Sequence, residues 1–184
     1  MRIRSLAAVG IFALWAGPAL AAGDLGKCEA MVQPVGAPEH SGGQPTHKPL
    51  CRTGYVLSHN DEMKVPDWVL ESLTPERFEK NFKRKKSFKA DPDLTKQSRT
   101  HAVDKDYTNS GYDRGHMAPA ADMTWDKDAM KESFYFSNIA PQVGSGFNQH
   151  IWKYLEIRVR EWTEDRGRPI VITGPVYGGS RKTI

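Results

Sequence analysis

The sequence predicts one domain of the α+β class, in which helices and strands are mixed. Three observations favour this class. The 184 residues are enough for a single domain with a substantial core, and neither a repeat nor a linker divides the chain. From Asn148 to Asp165, apolar side chains recur at three- and four-residue steps, as they do on one face of a helix. Elsewhere, short segments rich in Val, Ile, Leu and Tyr lie between turn residues and predict strands.

Residues 1–21 have the three parts of a secretory signal peptide. Arg2 and Arg4 form a positive start, Leu6–Trp15 is a short apolar stretch, and Ala19–Ala21 is a small-residue cleavage signal. The apolar stretch is too short to span a bilayer comfortably, and no later segment is suited to do so. We therefore expect no stable membrane association, and export to the periplasm or the surrounding medium. The formal charge falls from +4 to +2 without this segment, because it holds two cations and no acid.

Residues 22–49 are rich in Gly, Pro, Ser and His and predict an extended, loop-like segment ahead of a folded domain over residues 50–184. The only two cysteines, Cys28 and Cys51, lie in the N-terminal quarter of the chain. Because an exported chain meets an oxidising compartment, we expect one disulfide that ties this segment to the first strand. Two unpaired thiols or a metal-binding pair are the alternatives, but no third and fourth ligands lie nearby.

The first half of the domain predicts two strands, a helical turn and a long connection. Gly54–His59 alternates loosely and is rich in Tyr, Val and Leu, and Pro66–Leu73 is a second strand candidate. Thr74 followed by Pro75 has the form of a cap and a short helical start. Residues 89–111 carry few large apolar side chains and predict an irregular connection, which at this length is often functional.

The second half of the domain predicts a helix, a buried strand, a loop, a long helix and a last strand. In chain order these are Asp122–Ser133, Phe134–Ile139, residues 141–146, Asn148–Asp165 and Pro169–Tyr177. The long helix is the clearest of them, since Gly167 and Pro169 give a sharp end to its apolar pattern.

Six cations and no acid lie between Lys80 and Lys89, which is a pattern that attracts polyanions. For a single run of charge, the alternative is a solvated loop.

Asp113-Arg114-Gly115-His116 is the most informative tetrapeptide of the chain. The ordinary pKa of a histidine lies near neutrality, so His116 is suited to accept a proton. The guanidinium of Arg114 can hold a phosphate with paired donors, and Gly115 permits tight backbone geometry between them. These groups suit the hydrolysis of a phosphodiester, which needs a base, a phosphate clamp and charge stabilisation. Taken alone, however, the tetrapeptide is also compatible with an ordinary turn.

Two residues of the long helix extend this constellation. Asn148 offers an amide oxygen, which suits Mg²⁺. Eight residues at about 100° each place Glu156 roughly 80° around the helix from Asn148 and two turns further on. The alternatives are an N-cap role for Asn148 and an ion pair of Glu156 with Arg160. For Asn138, at the end of the predicted buried strand, the alternative is a turn cap.

The stretch Ser110–Pro119 resembles the signature of the DNA/RNA non-specific endonucleases, the ββα-metal family that includes endonuclease G. Further segments match in the same order, so that the resemblance covers roughly residues 50–178. These segments are Phe134–Gln142, Phe147–Gln149 with Trp152 and Leu155-Glu156, and Ile172–Pro175.

The resemblance implies a role for each residue of the candidate site. His116 would be the general base, Asn148 the one direct protein ligand of Mg²⁺, and Glu156 the holder of a water in the metal's hydration shell. Arg114 would bind phosphate, and Asn138 would orient His116 or its neighbourhood. The family also has an upstream arginine, for which Arg84 is the best match, although a small shift would align Lys85 or Lys86 instead. Mn²⁺ is an alternative metal.

The same resemblance implies a mainly antiparallel central sheet that carries a ββα-metal (His-Me finger) catalytic unit. The implied activity is cleavage of DNA and RNA without sequence specificity, with 5′-phosphate and 3′-hydroxyl products. Family members continue beyond the Gly174-Pro175 strand, which leaves open a truncated polyanion-binding descendant without strong catalysis. A phosphodiesterase for nucleotides or lipid headgroups is a third reading, but the basic run favours a polymer. The sequence leaves a homodimer and a protein inhibitor open.

Overall fold

The computed structural model describes residues 25–38, 49–78, 82–84 and 86–176 of the chain. The predicted signal peptide, residues 1–21, lies outside these ranges, as do Lys80 and Lys85 of the basic run. None of the helices in the described ranges is long and apolar enough to cross a membrane. The helices are α1 (Glu29–Val32), α2 (Pro92–Lys96), α3 (Asp104–Tyr107), α4 (Lys127–Glu132) and α5 (Lys153–Arg166). The strands are β1 (Leu50–Cys51), β2 (Val56–Asn60), β3 (Val65–Ser72), β4 (Tyr112–His116), β5 (Ile139–Val143) and β6 (Ile170–Thr173).

Four of the strands form one antiparallel sheet in the order β1-β2-β3-β6. In its register, Val56 pairs with Leu70, and Val69 pairs with Thr173. Strands β4 and β5 form a separate antiparallel pair, in which His116 is opposite Ile139. The predicted α+β class with a mainly antiparallel sheet is therefore confirmed.

Apolar clusters cover both faces of the central sheet. Side chains along a strand alternate between the two faces, so neighbouring residues belong to different clusters. Leu57 and Val69 point into the main core, which includes Phe134 and the buried side chains of α2 and α4. Val56 and Leu70 pack into a second cluster on the other face. Burial on both faces explains why consecutive apolar residues occur at Val56-Leu57 of β2 and at Trp68–Leu70 of β3 instead of a strict alternation.

The N-terminal segment is not extended throughout, which corrects the prediction for residues 22–49. Gly26–Cys28 forms a 3₁₀ turn that leads directly into α1. The N-terminal segment buries Leu25, Cys28 and Val32 in the second cluster on the sheet. This burial depends on contacts with distant strands, so the local sequence pattern does not predict it. The predicted disulfide is confirmed, since Cys28 and Cys51 are bonded and join this helical segment to β1.

Two further predictions need correction. The connection 89–111 is not wholly irregular, because it contains α2 and α3; Asp91 caps α2 by accepting the N–H of Asp93. The buried run Phe134–Ile139 is not a strand: it holds a 3₁₀ turn over Phe136–Asn138, and β5 starts only at Ile139. A short buried apolar run does not distinguish a strand from a helical turn.

The ββα unit consists of β4, β5 and α5, in that order along the chain. A loop and wide helical turn, Gly144–Trp152, separates β5 from α5, so the regular helix begins later than the predicted Asn148. Gly146 has a φ of 85°, a conformation that favours glycine. Helix α5 ends at Gly167 as predicted, where a φ of 100° reverses the chain.

Candidate active site

A cleft of about 640 Å³ opens between β4, the segment around Phe88, and α5. Five of the six predicted catalytic or metal-binding residues line this cleft, although they are spread over 73 positions of the chain. They are Arg84, Arg114, His116, Asn148 and Glu156. The sixth, Asn138, is fully buried outside it.

His116 lies at the end of β4 with only 7% of its surface exposed. Its ring packs at 5.0 Å from the ring of Phe134 and 5.7 Å from that of Phe88, measured between centroids. Burial, with a smaller effect of the positive charge on Arg84, lowers the pKa of His116 from 6.5 to about 3. Its Nε2 atom has no hydrogen-bond partner among the described residues. The imidazole is therefore neutral at physiological pH and able to accept a proton.

Gly115 leaves room for the side chain of Gln142, which lies diagonally across from it on β5. A Cβ atom at this position would lie 2.2 Å from Cδ of Gln142, which packs over the glycine backbone from β5. The absence of a side chain at Gly115 thus leaves space for Gln142 just before His116, which gives a concrete reason for a glycine at this point of the tetrapeptide.

The guanidinium of Arg114 is held from three sides. Its Cζ atom lies 5.6 Å from the ring centre of Phe88 and 5.5 Å from that of Tyr107. Its Nη2 atom forms an ion pair with Asp104 at 2.8 Å and donates to the Asp104 carbonyl at 3.1 Å. Such contacts restrict the rotamers of a long side chain while they leave part of the guanidinium in the cleft.

Arg84 is an exposed cation on the rim of the cleft. Its Cζ atom lies 5.7 Å from the ring centre of Phe134, the same ring that packs against His116. Lys86 also lines the cleft, whereas Lys85, the other alternative for the upstream cation, lies outside the described residues.

Asn148 lies in the wide turn before α5, and its side chain does not cap that helix. Its Nδ2 atom instead donates to Oδ2 of Asp113 at 2.8 Å, so the N-cap alternative is wrong. Gln149 donates to the same oxygen at 2.9 Å. These two hydrogen bonds, of which the one from Asn148 has the larger effect, lower the pKa of Asp113 and keep it ionised.

Glu156 lies on the cleft face of α5 and is partly buried. Burial, and next the negative charge on Asp122, raise the pKa of Glu156 from 4.5 to about 7. Arg160 forms its ion pair with the buried Asp122 at 2.7 Å, which contradicts the alternative in which it pairs with Glu156. Arg160 and Lys153 also line the cleft and were missed as site residues. Their spacing of three and four from Glu156 was the available signal, because such positions share a helix face.

Asn138 holds the backbone just after His116. Its Oδ1 accepts the N–H of Ala118, and its Nδ2 donates to the carbonyls of Ala118 and Ser133, each at 2.9 Å. Its backbone carbonyl also accepts the N–H of Met117. Asn138 does not line the cleft, so its contact with the site is through the backbone that follows His116.

The donor atoms of the cleft suit a hard divalent cation. Asn148 uses its amide nitrogen for Asp113, which leaves the amide oxygen free of that contact. Glu156 lies in the same cleft and adds carboxylate oxygens. Amide, carboxylate and water oxygens are the ligands that Mg²⁺ and Mn²⁺ prefer.

The chain is similar to nucleases across most of its described length. It is 44% identical over 131 residues to a nuclease of Syncephalastrum racemosum, and this match covers 70% of the chain. It is 40% identical over 147 residues to the mitochondrial nuclease of Saccharomyces cerevisiae, with 79% of the chain covered. A solved EndoG/EndoGI complex, described as showing a mechanism of EndoG inhibition, matches with a TM-score of 0.67 and 40% identity. That match covers 76% of this chain and 58% of the solved one.

The chain spans only 40% and 44% of the lengths of these two nucleases. Relatives from two yeasts, a nematode and human carry mitochondrial in their names. These names contradict the predicted periplasmic or secreted location, which is therefore wrong. Residues 37–184 match the DNA/RNA non-specific endonuclease family. Together with the ββα unit and the cleft that it forms, this match shows that the chain belongs to the DNA/RNA non-specific endonuclease family.

Proposed function

We propose that this chain is a metal-dependent endonuclease that hydrolyses phosphodiester bonds of DNA and RNA without sequence specificity. The observation that carries the proposal is the buried, neutral imidazole of His116 at the wall of a cleft that also presents Arg84 and Arg114. Family membership supports the same reaction class.

His116 acts as the general base. Its Nε2 atom has no partner among the described residues, so in the tautomer protonated at Nδ1 the Nε2 lone pair is available for the proton of an attacking water. Burial keeps the ring uncharged over the whole physiological range, so no fraction of the enzyme is lost to the imidazolium form. The rings of Phe88 and Phe134 fix the orientation of the imidazole.

The cations of the cleft hold the substrate. Arg114 is restrained by Asp104 and two aromatic rings, and it offers its remaining donors to a phosphate. Arg84 and Lys86 extend the positive surface along the rim. Contacts of this kind reach the backbone of a nucleic acid and carry no base information, which fits cleavage of both DNA and RNA.

Asn148 and Glu156 would hold the divalent cation, Asn148 through its amide oxygen and Glu156 through its hydration shell. When bound, Mg²⁺ supplies positive charge that stabilises the phosphoryl and leaving oxygens in the transition state. We propose products with 5′-phosphate and 3′-hydroxyl ends.

The test is cleavage of plasmid, single-stranded DNA and RNA by the purified chain, with Mg²⁺ and with chelator. We expect cleavage that the chelator abolishes and that His116→Ala reduces at least 100-fold, since a general base contributes about 10²–10⁴-fold. Asn148→Ala should also lower activity strongly and raise the Mg²⁺ concentration needed. His101→Ala is the matched control, because His101 is a half-buried histidine whose Nδ1 contacts the Arg99 carbonyl and which does not line the cleft.

Two results would contradict the proposal. Cleavage that persists in His116→Ala would remove the assigned base. Salt-sensitive binding of DNA without any chelator-sensitive cleavage would favour a polyanion-binding descendant of the family instead.

A further inference from the structure

Asp113 makes contacts that the proposed mechanism does not use. It lies in β4 immediately before Arg114 and lines the cleft. One of its carboxylate oxygens, Oδ2, accepts hydrogen bonds from two amide side chains of the wide turn, at 2.8 Å from Asn148 and 2.9 Å from Gln149. These bonds connect parts of the chain that are 35 and 36 residues apart.

A carboxylate selects one of the two orientations of an amide. When ionised, it has only acceptor atoms, so it can meet the NH₂ group of an asparagine but not its oxygen. A flip of the Asn148 amide would place two oxygens against each other and lose the hydrogen bond. The amide oxygen must therefore point away from Asp113.

We propose that Asp113 is a positioning residue that fixes the amide of Asn148 so that its oxygen, and not its nitrogen, is offered to the divalent cation. This inference rests on the proposed function, in which Asn148 is the metal ligand. It resembles the general way in which ligand side chains are oriented by a second hydrogen-bonded group.

Gly144 indicates that the chain is built to accommodate this contact. A Cβ atom at this position would lie 2.9 Å from Oδ1 of Asp113 and 3.0 Å from its Cγ. The glycine leaves room for the carboxylate to lie against the start of the wide turn, within reach of Asn148. An alanine would push the end of the Asp113 side chain aside without removing its charge.

Two variants test the inference from different directions. Asp113→Asn keeps the shape of the side chain but presents a donor as well as an acceptor, so both orientations of Asn148 become populated. Gly144→Ala keeps the charge and displaces the carboxylate. We expect Asp113→Asn to weaken metal binding about 10- to 100-fold, the range for loss of such a supporting group, and Gly144→Ala to weaken it in the same direction.

The measurement is a titration of the purified full chain with Mn²⁺ alone, followed by electron paramagnetic resonance, without nucleic acid. DNA binding in the presence of chelator is a second readout and should not weaken in either variant, because neither substitution removes a phosphate-binding cation. Glu164→Gln is the charge control: it removes one exposed acid from α5, away from the cleft, and should leave Mn²⁺ affinity unchanged.

A double-mutant cycle with Asn148→Ala shows whether Asp113 acts through Asn148. If it does, Asp113→Asn has no further effect on Mn²⁺ affinity once Asn148 is alanine. Independent effects that multiply would overturn the inference, as would wild-type affinity in both Asp113→Asn and Gly144→Ala. Should Asp113→Asn fail to fold, Gly144→Ala in the same cycle decides.

The cycle also separates the two levels of the proposal. Wild-type Mn²⁺ affinity in Asn148→Ala would mean that the metal ligand itself is misassigned, and the positioning role would fall with it. Loss of Mn²⁺ binding in Asn148→Ala alone, with normal binding in the other two variants, would refute only the role of Asp113.

Discussion

Two groups of polar and charged side chains in this protein differ in what they face. Around Arg52, the groups face one another: its guanidinium contacts Asp91 and Asp93, and Asp91 also accepts from Ser137. Arg52 and Asp91 are both buried. Around His116, the polar groups face a cleft, and the Nε2 atom of the imidazole has no hydrogen-bond partner among the described residues.

The difference separates stability from function. The buried ion pair of Arg52 with Asp91 and the hydrogen bond of Ser137 to Asp91 hold the segment before α2 against the end of β1 and the 3₁₀ turn before β5. Loss of one partner therefore leaves an uncompensated charge in the interior. A buried polar atom held in place without a partner, such as Nε2 of His116, costs stability and is available to a substrate. The aromatic rings of Phe88 and Phe134 keep the imidazole in position without offering a hydrogen bond to its Nε2 atom.

Removal of Arg52 should have the largest effect on folding. Arg52→Ala leaves the buried carboxylate of Asp91 without its main partner, and we expect the free energy of unfolding to fall by about 3–5 kcal/mol in urea titrations. Arg158→Ala is the control, because it breaks an exposed ion pair with Glu161 and should change stability by less than about 0.5 kcal/mol. Cleavage per folded molecule should stay within about twofold of wild type in both. A similar small loss in the two variants would show that the Arg52 cluster is not structural.

Substitution of His116 in the cleft should increase stability at acidic pH, which is the opposite of the effect expected for Arg52→Ala. The pKa of His116 is lowered to about 3 in the folded protein, whereas the unfolded chain takes up a proton near 6.5. Wild-type stability is thus free of this penalty above 6.5 and decreases as the pH falls from 6.5 towards 3. At pH 5, His116→Gln should remove about 2 kcal/mol of the acid-induced loss, even though it abolishes activity.

The measurement is urea unfolding of wild type and His116→Gln at pH 7.5 and pH 5. An equal loss of stability in the two proteins would show that His116 is not buried as a neutral base.

Substitution of Arg84 at the rim of the cleft should have the smallest effect of the three on the free energy of unfolding. Arg84 is exposed, so Arg84→Ala should leave unfolding within about 0.5 kcal/mol of wild type. DNA affinity in chelator should fall by about 1 kcal/mol, and the slope of log affinity against log salt should become shallower by about one. Lys96→Ala, an exposed cation of α2 outside the cleft, is the matched control. An unchanged slope in Arg84→Ala would assign the phosphate contact to another cation of the rim.

Helix α5 shows how far an apolar pattern alone can be taken. Its recurring Leu155 and Trp162 predict the helix, but in the structure these side chains are 44% and 41% exposed. Leu155 and Val159 both line a small cavity against β3 and β6, and three of the four α5 residues that line the cleft are charged. The period of a helix can be read from sequence, whereas the face that meets the core depends on which elements lie beside it.

The candidate site also combines features that the sequence predicts with features that only the structure reveals. The tetrapeptide around His116, Asn148 and Glu156 predict the candidate chemistry through the family signature that they match, whereas each of them alone is also compatible with an ordinary structural role. The pairing of Asp113 with Asn148 and of Asp122 with Arg160 spans 35 and 38 residues and has no local signal. Asn138 was found as a site residue, but its burial beneath the Met117-Ala118 backbone was not predictable.

By itself, the sequence determined the mixed class, the two cysteines available for a disulfide and the end of α5, since these depend on residue type or short-range spacing. The residues of the candidate site were predicted through the family resemblance. Only the tertiary structure decided that the imidazole is buried and neutral, that Asn148 turns its nitrogen to Asp113, and that Arg160 pairs with Asp122. Those properties arise from desolvation and from contacts between distant segments, which exist only after the chain has folded.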